Sequence, residues 1–177
     1  LGAMVGYAVM NLVMTAGPLA MTACNFSYND TIFVVEWHVV GMFAPGFVTG
    51  WLIKKYGDVN IILAVALISV ICLAVNLNGD SLWHLRIGMA LVGVGWNFMF
   101  TAGTTLLLSS YSPAEKAKVQ GINDLFVFGT VAVCSLAAGV VYQTLGFIAV
   151  NLASAPLLVL VVLAVLWLRA RRNAVAA

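Results

Sequence analysis

From Val59 to Leu77 the chain carries no charged residue and runs almost unbroken through Ile, Leu, Val and Ala. About 20 such residues in a helix cross the roughly 30 Å hydrocarbon core of a bilayer, and a helix apolar on every side has no face to turn to water. The same texture recurs along the whole chain. Of its 177 residues, 63% are hydrophobic and 8% are charged, and the mean hydropathy is +1.08. Ordinary soluble domains carry roughly 25% charged residues. So few charges cannot cover a water-facing surface, and the fold class is therefore read as all-α, a polytopic membrane protein.

Apolar runs set against their polar breaks predict six transmembrane helices, at about 2–24, 31–53, 59–77, 82–108, 119–145 and 147–168, with a basic tail over 169–177. The breaks are "NFSYND", "KKYGD", "NGDS", "SSYSPAEKAK" and the single Gly146. Connections this short make consecutive helices antiparallel neighbours in one bundle. The opening residues "LGAMVGYAVM" have neither an initiator Met nor the basic stretch of a signal peptide, so the chain is expected to begin inside a longer one.

Lys54, Lys55, Lys116, Lys118, Arg169, Arg171 and Arg172 all fall on one side of this topology, while Asp30 and Asp80 lie in the opposite loops. Arg86 alone breaks the pattern. Basic loops stay in the cytoplasm, which predicts cytoplasmic termini. The net charge of +2 is too small to suggest a nucleic-acid partner. Cys24, Cys72 and Cys134 are far apart, and no HExxH, GxSxG or Walker loop occurs. No enzyme, catalytic residue, metal or cofactor is expected.

Polar groups inside the spans are then the informative ones, because each is costly in hydrocarbon unless paired or wet. Glu36 and His38 stand about 200° apart around a helix, so they need separate partners. His38 shares its face with Gly41, Met42, Pro45 and Thr49, a face suited to the bundle interior or a cavity. Glu36 shares its face with Val40, Phe43 and Phe47, and can reach water at the outer end. Arg86 continues at helical spacing into Ala90, Gly93, Asn97 and Thr101, a line that fits either the wall of a wet cavity or a tight contact in which Asn97 bonds a neighbouring helix. Asp124 stands with Gly121, Phe128, Ser135 and Gly139 on one side of the fifth segment, where it can cap, pair or gate. Asn11 and Thr15 are one turn apart in the first segment. The third and sixth segments are the plainest and are expected to face lipid.

At "GFVTGWLIKKYGD" and "SPAEKAKVQGINDLFVFGTV" the chain resembles the C-terminal six-helix half of a major facilitator superfamily transporter, of the bacterial permease kind. Gly50, Lys55 and Gly57 match the superfamily's loop between the second and third helices of a half, whereas Lys54 stands at its acidic position and Asp58 at its later basic one. "RIGMALVGVGWNF" is similar to the Arg-x-x-x-Gly pattern of the fourth helix.

The resemblance implies half of a secondary transporter in a bacterial inner membrane, moving a small solute by alternating access between this bundle and an N-terminal half. Asn11, Thr15, His38, Arg86, Asn97 and Thr101 would then line the solute cavity, with His38, Asp124 and Glu36 as gating or proton-coupling candidates. A self-contained six-helix protein acting as a homodimeric channel or carrier, or a non-transporting membrane scaffold, stays open as the alternative.

Overall fold

The computed structural model describes residues 1–79 and 81–176, with nothing stated of the side chains of Asn173, Val175 and Ala176. Asp80 lies outside the described residues. The elements are α1 (Gly2–Ala23), α2 (Tyr28–Phe43), α3 (Gly46–Tyr56), α4 (Asp58–Leu77), α5 (Leu82–Leu108), a 3-10 turn (Pro113–Glu115) and α6 (Lys116–Ala176). Helix is what hydrocarbon demands, since a segment without water must satisfy its backbone N–H and C=O groups internally. Among the described residues, five helical stretches are long and apolar enough to cross a membrane: Gly2–Ala23, Tyr28–Tyr56, Asp58–Leu77, Leu82–Leu108 and Pro113–Arg172.

The last stretch is not one rod. Gly146 has φ 79° and ψ 179°, outside the helical region, and divides α6 into limbs 116–145 and 147–176. Cys134 and Leu157 pack on the same cluster of Leu12, Ala16, Ala138 and Val150. In an unbroken helix those two residues would be about 35 Å apart. The chain therefore doubles back at Gly146, the single residue that marks the boundary in the sequence.

Each turn has a local cause. α1 ends with Asn25 in the left-handed region (φ 59°), and Asn25 N and Phe26 N donate to Thr22 O and Met21 O at 3.1 Å, a Schellman closure. Ser27 then caps α2, its hydroxyl accepting from Asp30 N at 3.1 Å. Gly57, at φ 84°, ends α3 and begins α4 in one residue. Before the first limb of α6, Ser112 and Glu115 form a capping box.

The segment expected as one helix over 31–53 begins at Tyr28 and is interrupted between Phe43 and Gly46. Pro45 has no N–H to give to the preceding turn, and the helical ladder resumes only as Val48 N and Thr49 N donate to Pro45 O at 2.9 Å.

α5 packs against α1, α2, α3 and α4, while α6 packs on α1 and α4. The glycines of α5 allow backbones to approach where a methyl could not fit: a Cβ on Gly93 would collide with His38 O of α2, and one on Gly103 would come within 2.8 Å of Ala3 N in α1. The core divides by depth. Val5, Ile53, Val59, Ile62, Met99, Ala102, Val161 and Val165 form a cluster at the end that carries the Lys and Arg residues. Met21, Val34, Cys72, Leu85 and Met89 belong to a second cluster toward the other end. At the basic end Arg172 pairs with Asp58 at 3.4 Å, tying the second limb to the α3–α4 turn.

α4 and the second limb have plain outward faces, with Leu67, Val70, Leu163 and Trp167 all exposed. Between them runs a polar seam that their apolar cores conceal in the sequence. Asn76 Nδ2 donates to Asn151 Oδ1 at 2.7 Å, and Ser154 is buried beside it.

Candidate functional site

The predicted site residues separate into two seams. In the seam between α2 and α5, the break at Pro45 leaves Met42 O without its helical donor, and Asn97 Nδ2 supplies one at 2.6 Å. Asn97 Oδ1 faces Thr49 Oγ1 at 2.7 Å, whose single proton serves either this oxygen or Pro45 O at 2.8 Å. Of the two arrangements open to Asn97, the geometry is that of the interhelical contact, and the residue is buried.

His38 is fully buried, with Nδ1 at 2.9 Å from Met89 O. A carbonyl only accepts, so Nδ1 carries the proton, and Nε2 is left buried with no partner among the described residues. The imidazole holds α2 to α5. Further toward the same end, Arg86 Nη2 reaches Asp30 Oδ1 at 3.4 Å, and its guanidinium lies 4.8 Å from the Phe33 ring and 5.3 Å from Trp83. An isolated guanidinium at the membrane edge would be costly; here the carboxylate and ring faces replace part of its hydration. Glu36 is exposed and borders a groove between α1 and α2 with Pro18, Val35 and Val39.

The second seam joins α1 to the first limb of α6. Ser135 Oγ donates to Asn11 Oδ1 at 2.8 Å, and Thr15 Oγ1 lies 3.5 Å from the same oxygen. Asp124 is exposed on that limb, with Asn123 Nδ2 at 3.2 Å. Thr101 is half-buried on α5. Gly50 has open space about it, and Lys55 Nζ sits over the rings of Trp51 and Tyr56 at 4.8 and 5.2 Å. Among the described residues no His, Cys, Asp and Glu side chains group closely enough to hold a metal ion.

A ring cluster that the sequence reading missed bridges the two seams. Trp96 stacks on Phe100 one turn away, with centroids 5.3 Å apart and planes 3° from parallel. Tyr7 of α1 meets both edge-on, at 5.3 and 5.5 Å. Phe43 of α2 approaches Trp96 at 6.5 Å, and Phe128 of the first limb approaches Tyr7 at 6.4 Å. The signal was present but indirect: Tyr7 is one turn before Asn11, Trp96 adjoins Asn97, and Phe128 is one turn after Asp124. Aromatics on apolar helices are commonplace in any core, so only their meeting in space singles these out.

The Major Facilitator Superfamily profile matches residues 1–176 of the chain. The chain belongs to this superfamily. It is 36% identical over 155 residues, 88% of its length, to the riboflavin transporter RfnT of Brucella anthropi. It is also similar to two uncharacterized MFS-type transporters of Bacillus subtilis, YddS at 29% identity over 90% of the chain and YdeG at 28% over 92%. The chain spans 39, 37 and 38% of the lengths of these three relatives. No solved structure matches it. Membership in the superfamily and the apolar helices together make this an integral, multi-pass membrane protein of a transporter family.

Proposed function

We propose that the chain is the C-terminal half of a secondary transporter, in which a small solute binds between this bundle and an N-terminal half and is exposed to each side in turn. The observation that carries the reading is the convergence of polar and aromatic groups from α1, α2, α5 and limb 116–145, while α4 and limb 147–176 turn plain apolar faces outward. The coverage of under two fifths of each relative fits a half-transporter. Asn11, Thr15 and Thr101 serve as cavity wall. Asn97, His38 and the Asp30–Arg86 pair hold the α2–α5 seam rigid as the halves rock.

The basic end is placed in the cytoplasm and the protein in a bacterial inner membrane, with no chemical reaction on the solute. Gly50 and Lys55 lie in α3, which leads into the cytoplasmic turn of the half at Gly57. Riboflavin, for which the Brucella anthropi relative is named, is one candidate solute.

The test is uptake into proteoliposomes by the full-length protein. Accumulation of a radiolabelled solute, blocked when a cysteine at Asn11 or Thr101 is alkylated by a water-soluble maleimide, is the expected result. Failure of both cysteines to react, with no solute taken up, would point to a scaffold. His38 and Asp124 are the proton-coupling candidates, Asp124 being the one exposed on this bundle. Loss of pH-dependent uptake in Asp124→Asn or His38→Ala is expected, and its persistence in both would remove coupling from these residues.

A further inference from the structure

The ring cluster lies where a carried solute would sit. Phe43 is near the middle of the Tyr28–Tyr56 stretch and Trp96 near the middle of α5, so the cluster stands close to half-depth in the bundle. Tyr7 and Phe128 continue it along the seam that holds Asn11 and Ser135. The contacts run in series, Phe43 to Trp96 to Tyr7 to Phe128, with Phe100 stacked beneath. Exposure divides the series sharply. Trp96 is 9% exposed, while the two end rings, Phe43 and Phe128, are 63% and 62% exposed. An aromatic core would bury its outer rings. Here four elements each bring a ring to one place, the inner rings are fixed by edge and stacking contacts, and the outer two are left uncovered by this bundle.

We propose that these five rings form the solute platform of the carrier, and that the solute it accepts is a planar heteroaromatic compound. This rests on the transporter reading above. A phenyl face offers a planar π-system dispersion and quadrupole contacts over its whole area, and offers a carboxylate or an inorganic anion far less. Heteroaromatic solutes also carry polar edges, and the cluster has a polar group to meet them. Asp124, one turn from Phe128 and exposed, accepts from an N–H or O–H at the rim.

The experiment uses the full-length protein in proteoliposomes and two panels, one of riboflavin, a pterin and a purine, the other of a sugar, an amino acid and a dicarboxylate. Uptake confined to the aromatic panel is expected. Phe43→Leu and Phe128→Leu, which keep apolar bulk and remove the π face, each raise KM about tenfold with kcat nearly unchanged. Phe43→Tyr and Phe128→Tyr restore it. Transport of the second panel alone would overturn the platform and leave the transporter reading standing, as would leucine variants with unaltered KM. Uptake of nothing from either panel counts against the transporter reading. In that case riboflavin is titrated against the protein's tryptophan emission, and absence of quenching removes the platform as well.

Discussion

Asn97 is the residue on which two broken pieces of helix depend. Its amide donates to Met42 O, just before the break, and its carbonyl faces Thr49, so one side chain bonds residues on both sides of the break. Asn97→Leu leaves the Met42 carbonyl short of its donor, while Thr49 still bonds Pro45 O, at a cost of about 1–3 kcal/mol. A lower unfolding temperature in detergent is expected, with Asn97→Asp in between because it keeps the acceptor and loses the donor. Gly93 tests the same seam by bulk. Its Cβ would meet the His38 carbonyl, so Gly93→Ala forces α2 off α5 and costs about 1–3 kcal/mol by overpacking. Gly139, with nothing within 4 Å, is the control, and its alanine variant should unfold with the parent protein.

At the scale of elements, two glycines turn the chain and a third does not. Gly57 and Gly146 have φ of 84° and 79°, where a Cβ crowds the following carbonyl, so alanine at either costs about 1–2 kcal/mol. Gly50 sits inside α3 with open space around it, and Gly50→Ala should be no less stable than the parent in thermal melts of the purified protein. If Gly50→Ala nevertheless slows uptake, the position serves the rocking of the halves rather than the fold of this one. Two helix ends fall at glycines that the sequence reading placed in breaks, Gly57 and Gly146, whereas the Ser27 cap, which starts α2 at Tyr28 rather than at residue 31, was not read. Nor was the interruption at Pro45. A proline in an apolar run either kinks a helix or divides it, and the outcome was set by Asn97, which stands 52 residues away by sequence number and offers the Met42 carbonyl a partner.

For the molecule as a whole, antiparallel packing puts all the basic loops at one end and the Asp30–Arg86 pair at the other. Reporter fusions check this directly. Fusions at residues 57, 112 and 172 should be active with a cytoplasmic fluorescent protein, and fusions at 26, 79 and 146 with a phosphatase that folds only outside. A cytoplasmic reading at 146 would mean that the reversal at Gly146 does not reach the far side, and that the chain crosses one time fewer in each direction around it. The two plain helices also acquire a role at this scale, since Asn76 and Asn151 lock them together behind the seams that face the proposed solute path.

The sequence by itself determined the all-helical membrane class and the superfamily, and supplied a glycine at two of the turns, Gly57 and Gly146. Those follow from properties that add along a chain, namely the transfer free energy of apolar residues, the cost of charge in hydrocarbon and the backbone preferences of single glycines. Only the tertiary structure decided that His38 and Asn97 stitch α2 to α5, that Asn76 finds Asn151, and that five rings from four elements meet. Those are pairings between distant residues, and helical periodicity gives the face on which a side chain stands but not the neighbour it meets.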